Sequence, residues 1–389
     1  MTVDRDQFRD RYRYSLALAS EAAAPALRAI AHAMSRSRPT PPQEWRTGVI
    51  LGNGHIGDVL FRTCSLQLLA AALPQCRWSY LTTPAAAGAL AHNPSLHEVL
   101  PWNLEGAPTS LSASHVRELA QRDFDVALCS ENFAHYRALL LALRLHIPNR
   151  VAFTAKGLSA LATLGVRLPE LLPHAEQFRR MVQIVTGSLD STPLVPRIYP
   201  SAQDVDAAAG EWARLNLDEA ELVIACSATT RQEISACPPQ LFTDILRDVL
   251  NSASDARVVL TGVAGDRDLL QSMAVTLGDR AIVSAGNLSV LGFGALLRRC
   301  SAFLGPDSGA RHLANAAAIP VYFVRNMGTS AVETGVYSPG ETDIALAGEY
   351  LSAAARERAF RGIDRNAVAS GLVAAARQQA HDRRADKPR

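Results

Sequence analysis

Short apolar runs alternate with helical stretches along most of the chain, in two series separated by a proline-rich segment. The first series opens with TGVIL (47–51), which is rich in β-branched residues, ends at glycines and passes into the helical pattern DVLFRTCSLQLLAAAL. It continues through WSYLTT (78–83), a helix over about 84–92, HEVLP (97–101), a helix near 113–121, DVALCS (125–130), a helix over 134–145 and RVAF (150–153). After the helical stretch PHAEQFRRMVQIVTG (173–187), the prolines of SLDSTPLVPRIYPS and its lack of any period predict a linker. The second series then runs ELVIACS (221–227), a helix opened by Pro238 and Pro239, ARVVLTG (256–262), a helix over 265–277 and AIVSAG (281–286). It ends with a helix over 288–299, SAFLG (301–305), a helix over 308–318 and PVYFV (320–324). Such alternation predicts parallel sheets covered by helices on both faces, hence two Rossmann-like α/β domains. Ligands of open sheets sit beyond the carboxyl ends of the strands, so two such domains facing each other predict a cleft.

The expected boundaries are an N-terminal helical extension over 1–45, a first Rossmann-like domain over 46–190, a second over 201–348 and a C-terminal helix and tail over 349–389. A chain of 389 residues that is 48% hydrophobic has enough apolar content for two such cores. Its net charge of +2 is spread along the chain, which excludes nucleic acid as the expected partner. Lys156 and Lys387 are the only lysines. Six scattered cysteines without a CxxC pair argue against a disulfide framework and a thiolate metal site, and fit a reducing, cytoplasmic setting. The apolar stretch after the charged N-terminus is broken by Glu21 and Arg28, so no transmembrane segment is expected. Residues 12–35 predict a helix that packs on the first domain, with peripheral contact to a membrane surface as the alternative. The terminal HDRRADKPR is expected to fray.

GNGHIG (52–57) satisfies the glycine pattern of a dinucleotide site between a strand and a helix. Two features oppose that reading. The second strand ends in LTTP rather than in an acid for the ribose, and Asp58 puts a carboxylate where a pyrophosphate would sit. The alternative is that Asn53, Gly54, His55 and Gly57 admit an acceptor, while Asp58 acts as general base with its charge held by the helix dipole. An acid in a first helical turn can equally be a cap, and His55 can equally be an ordinary polar loop residue.

GPDSGARHLANAAAIPVYF (305–323) carries the most information. Pro306, Asp307, Ser308 and Gly309 start a helix, whose free N–H groups and positive dipole end can hold a diphosphate without a lysine. Asp307 is then expected to be free for sugar hydroxyls, and capping by Asp307 and Ser308 is compatible with that use.

GDVL (57–60), ATTR (228–231) and DSGARHLA (307–314), in this order and spacing, resemble the signatures of glycosyltransferase family 9, the heptosyltransferases, over roughly residues 46–330. The resemblance implies a GT-B fold and a metal-independent, inverting transferase without a cofactor, in which the acid matching Asp58 is the catalytic base. It implies an acceptor-binding domain over 46–190 and a nucleotide-sugar-binding domain over 201–348, with a donor site that has Thr229 and Thr230 near the phosphates and Arg231 beside them, and Asp266 of TGVAGD, which also contains Gly262, at the ribose. Asp307, Ser308, Gly309 and His312 of DSGARHLA complete it. The family usually has Glu where this chain has Asp266. It also commonly has a Lys before a Trp-Pro pair, where this chain reads RQEISACPP with Ile234, Ser235 and Cys237, so Arg231 is the candidate replacement. The donor implied is ADP-heptose, with other ADP- or GDP-linked sugars next, and the acceptor is a glycan or a small natural-product intermediate. A non-catalytic sugar-nucleotide-binding protein and an oxidoreductase are the rival readings.

Overall fold

The computed structural model describes residues 22–52, 54–102, 112–130, 135–154, 158–168, 171–230, 236–325, 330–344 and 352–385. The chain divides into two compact units, Met1–Thr192 and Pro193–Arg389.

The first unit is built on a sheet of β1 (Thr47–Leu51), β2 (Arg77–Thr82), β3 (Glu98–Pro101), β4 (Val126–Cys129), β5 (Asn149–Phe153) and β6 (Leu164–Val166). All its pairs are parallel and the order is β3-β2-β1-β4-β5-β6. Val49, Ile50 and Leu51 are wholly buried, as are Val126 to Cys129, because helices cover both faces of a parallel sheet and leave its central strands no face towards water. Those helices include α1 (Ala24–Met34), α2 (Ile56–Ala72), α3 (Ala113–Ala120), α4 (His135–Arg144) and α5 (His174–Thr186). The described part of the N-terminal helix packs on this unit: Ala31 is buried in its core, and Leu27 and Met34 lie against it. The Met34 carbonyl meets His146 Nδ1 at 2.7 Å, and Arg150 Nη1 donates to Ser35 Oγ at 2.8 Å.

The second unit repeats the plan with β7 (Leu222–Ser227), β8 (Ala256–Gly262), β9 (Ala281–Ala285), β10 (Ala302–Pro306), β11 (Val321–Val324) and β12 (Glu341–Asp343). The order β12-β11-β10-β7-β8-β9 is also parallel throughout. Counted from its own first strand, each sheet has the order 3-2-1-4-5-6, with a topological switch point between its first and fourth strands. The helices here are α6 (Ala202–Arg214), α7 (Pro239–Ser252), α8 (Arg267–Leu277), α9 (Val290–Leu297), α10 (Gly309–Ala316), α11 (Ala353–Arg361) and α12 (Arg365–Ala385).

Three departures from the sequence reading have local causes. Strands β6 (LGV) and β12 (ETD) have three residues each and are too short to carry the pattern of a buried strand. Helix α6 begins in a capping box, in which Ser201 Oγ accepts from the Asp204 N–H at 3.2 Å and Asp204 Oδ2 accepts from the Ser201 N–H at 3.0 Å. The tail does not fray at residue 381: α12 runs on to Ala385, and Arg383 donates to the carbonyls of Arg299 and Cys300 at 2.8 and 2.6 Å. Among the described residues no helix is long and apolar enough to cross a membrane. None of the six cysteines is in a disulfide.

Candidate active-site residues at the strand ends

In the first unit the predicted residues gather in the turn from β1 into α2, beside the β1/β4 switch point. His55 is the N-cap, in extended conformation, and Asp58 is the third helical residue. Asp58 Oδ2 accepts from the His55 N–H at 2.7 Å, so one oxygen caps the helix and lies on its positive end. Oδ1 has no partner among the described residues. The carboxylate also fills the space at Gly54, where a Cβ would lie 2.6 Å from Oδ2; glycine is needed here to admit the protein's own acid. Gly57 is buried in the first turn, and Thr83 Oγ1 donates to the Gly54 carbonyl at 2.9 Å, tying the turn to the end of β2. Asn53 lies outside the described residues.

Beneath this turn is a residue that sequence reasoning passed over. Arg62, with only 1% exposure, donates to the Asp58 carbonyl at 2.9 Å, to Tyr80 Oη at 3.3 Å and to the Ser130 carbonyl at 2.7 Å. It ties the turn to the ends of β2 and β4. An arginine within the buried, otherwise apolar run VLFRT was the available signal.

In the second unit the ends of β7, β8 and β10 lie side by side: Ser227 pairs with Thr261, and a Cβ on Gly305 would lie 2.9 Å from the Ser227 carbonyl. Thr229 Oγ1 donates to Asp266 Oδ2 at 2.9 Å, and the same oxygen accepts from the Val263 N–H at 2.9 Å. The structure thus joins two predicted residues from different loops. Gly262 permits this, since its Cβ would lie 2.6 Å from Asp266 Oδ2. Thr230 is part-exposed, without a bond to the others, and Arg231 lies outside the described residues.

The turn from β10 into α10 behaves differently from expectation. Neither Asp307 nor Ser308 caps the helix with its side chain. Asp307 is not free, because its Oδ1 accepts from Arg311 Nη1 at 2.8 Å. Burial pushes the Asp307 carboxyl above its ordinary range, against the pull of Arg311. Ser308 Oγ is buried without a hydrogen-bond partner, and the backbone N–H groups of Ser308, Gly309 and Ala310 have no acceptor among the described residues. Uncapped donors at a helix start form an anion-binding arrangement, and an orphaned hydroxyl beside them calls for a polar ligand atom.

His312 Nδ1 meets Tyr337 Oη at 2.7 Å, while its Nε2 lies 3.9 Å from Asp307 Oδ1. Burial, reinforced by Arg311, lowers its pKa to about 3, so the ring is neutral at physiological pH. Tyr337 and Glu341 escaped the sequence reading because their segment carries no phosphate or nucleotide pattern, and Arg311, although it lies within DSGARHLA, was given no role there. Among the described residues no three His, Cys, Asp or Glu side chains gather in a group that could hold a metal ion.

Residues 112–350, more than half of the chain, match the model of "Glycosyltransferase family 9 (heptosyltransferase)". No curated protein matches the chain. Among solved structures, a glycosyl transferase of family 9 from Veillonella parvula superposes with a TM-score of 0.70 at 16% identity, covering 89% of this chain and 100% of that one. The E. coli ADP-heptose LPS heptosyltransferase II gives a TM-score of 0.67 at 18% identity, over 86% of this chain and 99% of its own. E. coli heptosyltransferase WaaC with ADP gives 0.60 at 18% identity, over 80% and 98%. At these identities the likeness shows a common fold.

Proposed function

Since the chain belongs to glycosyltransferase family 9, we propose that it transfers a sugar to an acceptor hydroxyl or amine by one inverting displacement that needs no metal ion, with ADP-heptose as leading donor. The oxidoreductase and non-catalytic readings fall with that membership. The observation that carries the proposal is the start of α10, where three N–H groups and the buried Ser308 hydroxyl, without partners among the described residues, stand at the end of the switch-point strand β10. This arrangement suits a diphosphate.

Each group then has a role in the step. The acceptor oxygen or nitrogen attacks the anomeric carbon and gives its proton to Asp58 Oδ1, the oxygen left open by the cap. The bond from that carbon to the diphosphate breaks, and its electron pair goes to the departing phosphate oxygen. The N–H groups of Ser308, Gly309 and Ala310 hold the growing charge without reorganising, which is where preorganised donors contribute most. We assign Asp266, fixed by Thr229, to the ribose, and Asp307 Oδ2, which has no partner among the described residues, to a sugar hydroxyl. That E. coli WaaC is seen with ADP supports adenine as the base. Another ADP- or GDP-linked sugar and a small natural-product acceptor form the second reading, favoured by the absence of the usual family lysine from RQEISACPP.

The test is titration calorimetry with ADP, GDP, UDP and CDP and their sugar forms, with and without magnesium. ADP and an ADP-sugar should bind most tightly in both conditions. Binding that appears only with magnesium would overturn the metal-free step, and a panel with no binder would overturn the donor site.

A further inference from the structure

The Arg311 guanidinium is 1% exposed and is used on every side. Its Nε donates to Glu341 Oε1 at 2.6 Å, Nη1 to Asp307 Oδ1 at 2.8 Å and to the Thr334 carbonyl at 2.7 Å, and Nη2 to the Gly335 carbonyl at 2.5 Å. Its Cζ stands 3.4 Å above the centre of the Phe323 ring in β11. Glu341 is itself saturated, with Asn315 Nδ2 at 2.6 Å on Oε1 and the N–H groups of Tyr337 and Ser338 at 2.9 and 3.0 Å on Oε2. One side chain therefore joins α10 to β11, β12 and the segment over 334–338.

A buried ion cluster of this kind contributes little net stability compared with apolar packing, because desolvation offsets the attraction. What it does provide is orientation, since the planar fork of an arginine fixes the groups it bridges. The group at the edge of the cluster is Asp307, 14% exposed, with one oxygen held by Arg311 and the other unpartnered among the described residues. A carboxylate that lacks a cap and is gripped at one oxygen takes its direction from that grip.

We propose that Arg311 is a positioning residue for donor recognition, which acts through Asp307 and makes no contact with the donor. It presents the open oxygen of Asp307 to the transferred sugar and fixes the start of α10 beneath the diphosphate. The inference rests on the donor site proposed above.

The test compares two affinities in each variant: that for the tightest-binding sugar nucleotide of the calorimetric panel and that for its parent nucleoside diphosphate. A variant that merely lowers the folded fraction weakens both equally and leaves their ratio unchanged. Positioning through Asp307 predicts that Arg311→Met lowers the ratio about tenfold, as Asp307→Asn does. It also predicts that the double variant falls by less than about threefold beyond Asp307→Asn alone, the non-additivity of two residues acting as one. If Arg311→Met does not fold, Arg311→Lys replaces it in the cycle, since lysine keeps the charge but cannot bridge Asp307 and Glu341 together. An unchanged ratio in the arginine variant, or equal losses in the two backgrounds, would overturn the inference while leaving the donor site standing. A wild-type protein that binds no member of the panel, or an Asp307→Asn variant with an unchanged ratio, would overturn the site and the inference with it.

Discussion

Asp58 and Asp266 are held in the same way, one in each unit. Each ends a five-residue G-x-x-G-D stretch, GHIGD (54–58) or GVAGD (262–266). Each uses Oδ2 to accept the backbone N–H three residues earlier, at 2.7 Å from His55 and 2.9 Å from Val263. Each also occupies the space of a glycine whose Cβ would lie 2.6 Å from that oxygen. They differ in that Asp266 has a second side-chain partner, the Thr229 hydroxyl at 2.9 Å.

Asp58→Asn keeps an oxygen for the His55 N–H, so the turn should persist while the base is lost. Turnover, followed as released nucleoside diphosphate, should fall by about 10²- to 10⁴-fold. Nucleotide affinity should stay within error of the wild type. Turnover close to normal would remove Asp58 from the mechanism.

The two glycines should separate by readout. Gly54→Ala and Gly262→Ala each force a methyl group against a carboxylate, at an expected cost of about 1–3 kcal/mol in stability. The first should lower turnover and spare donor affinity, whereas the second should weaken donor affinity. Kinetics and calorimetry on both variants check this, and a reversed pattern would exchange the roles given to the two turns.

Thr229→Val removes the hydroxyl that orients Asp266 but keeps the shape of the side chain. One hydrogen bond contributes about 1 kcal/mol, so donor affinity should drop roughly fivefold. Thr229→Ser should restore it. If serine is as poor as valine, the bond to Asp266 is not what matters.

Stability should fall on acidification. His312 has a folded pKa of about 3 against an ordinary 6.5, so the unfolded chain takes up the proton first, and stability present above pH 6.5 is lost as pH falls towards 3. Glu211, held down to about 2 chiefly by Arg214, with help from Ser284 and Asn287, adds a loss between pH 4.5 and 2. Thermal midpoints from pH 7 to 4 should therefore decline, and His312→Gln should flatten the slope below pH 6.5. Parallel slopes for variant and wild type would rule out a buried neutral ring at this position.

Much of this was legible in the residues because the decisive signals are local. TGVIL and ARVVLTG coincide with β1 and β8, since a run buried on both faces has no polar interruption to blur its ends. The turns carrying Asp58, Asp266 and Asp307 were legible for the same reason: each is a short stretch with a glycine and an acid at a strand-to-helix junction. The partners of those acids were not. Asp307 and Arg311 stand four apart, a spacing that permits a pair, but nothing in the sequence indicates that Arg311 also reaches Glu341, thirty positions away. Arg62 joins Tyr80 and Ser130 only because strand order 3-2-1-4 brings β2 and β4 to either side of β1. Contacts set by topology are invisible until the topology is known.

The repeated strand order has an evolutionary and practical consequence. Because each sheet is hydrogen-bonded only within its own unit and carries its own crevice loops, sequence drift in one set of loops leaves the other scaffold intact. Under the roles proposed for the two units, acceptor and donor specificity can thus diversify as separate traits, and an engineer can graft loops onto one half without re-solving the other.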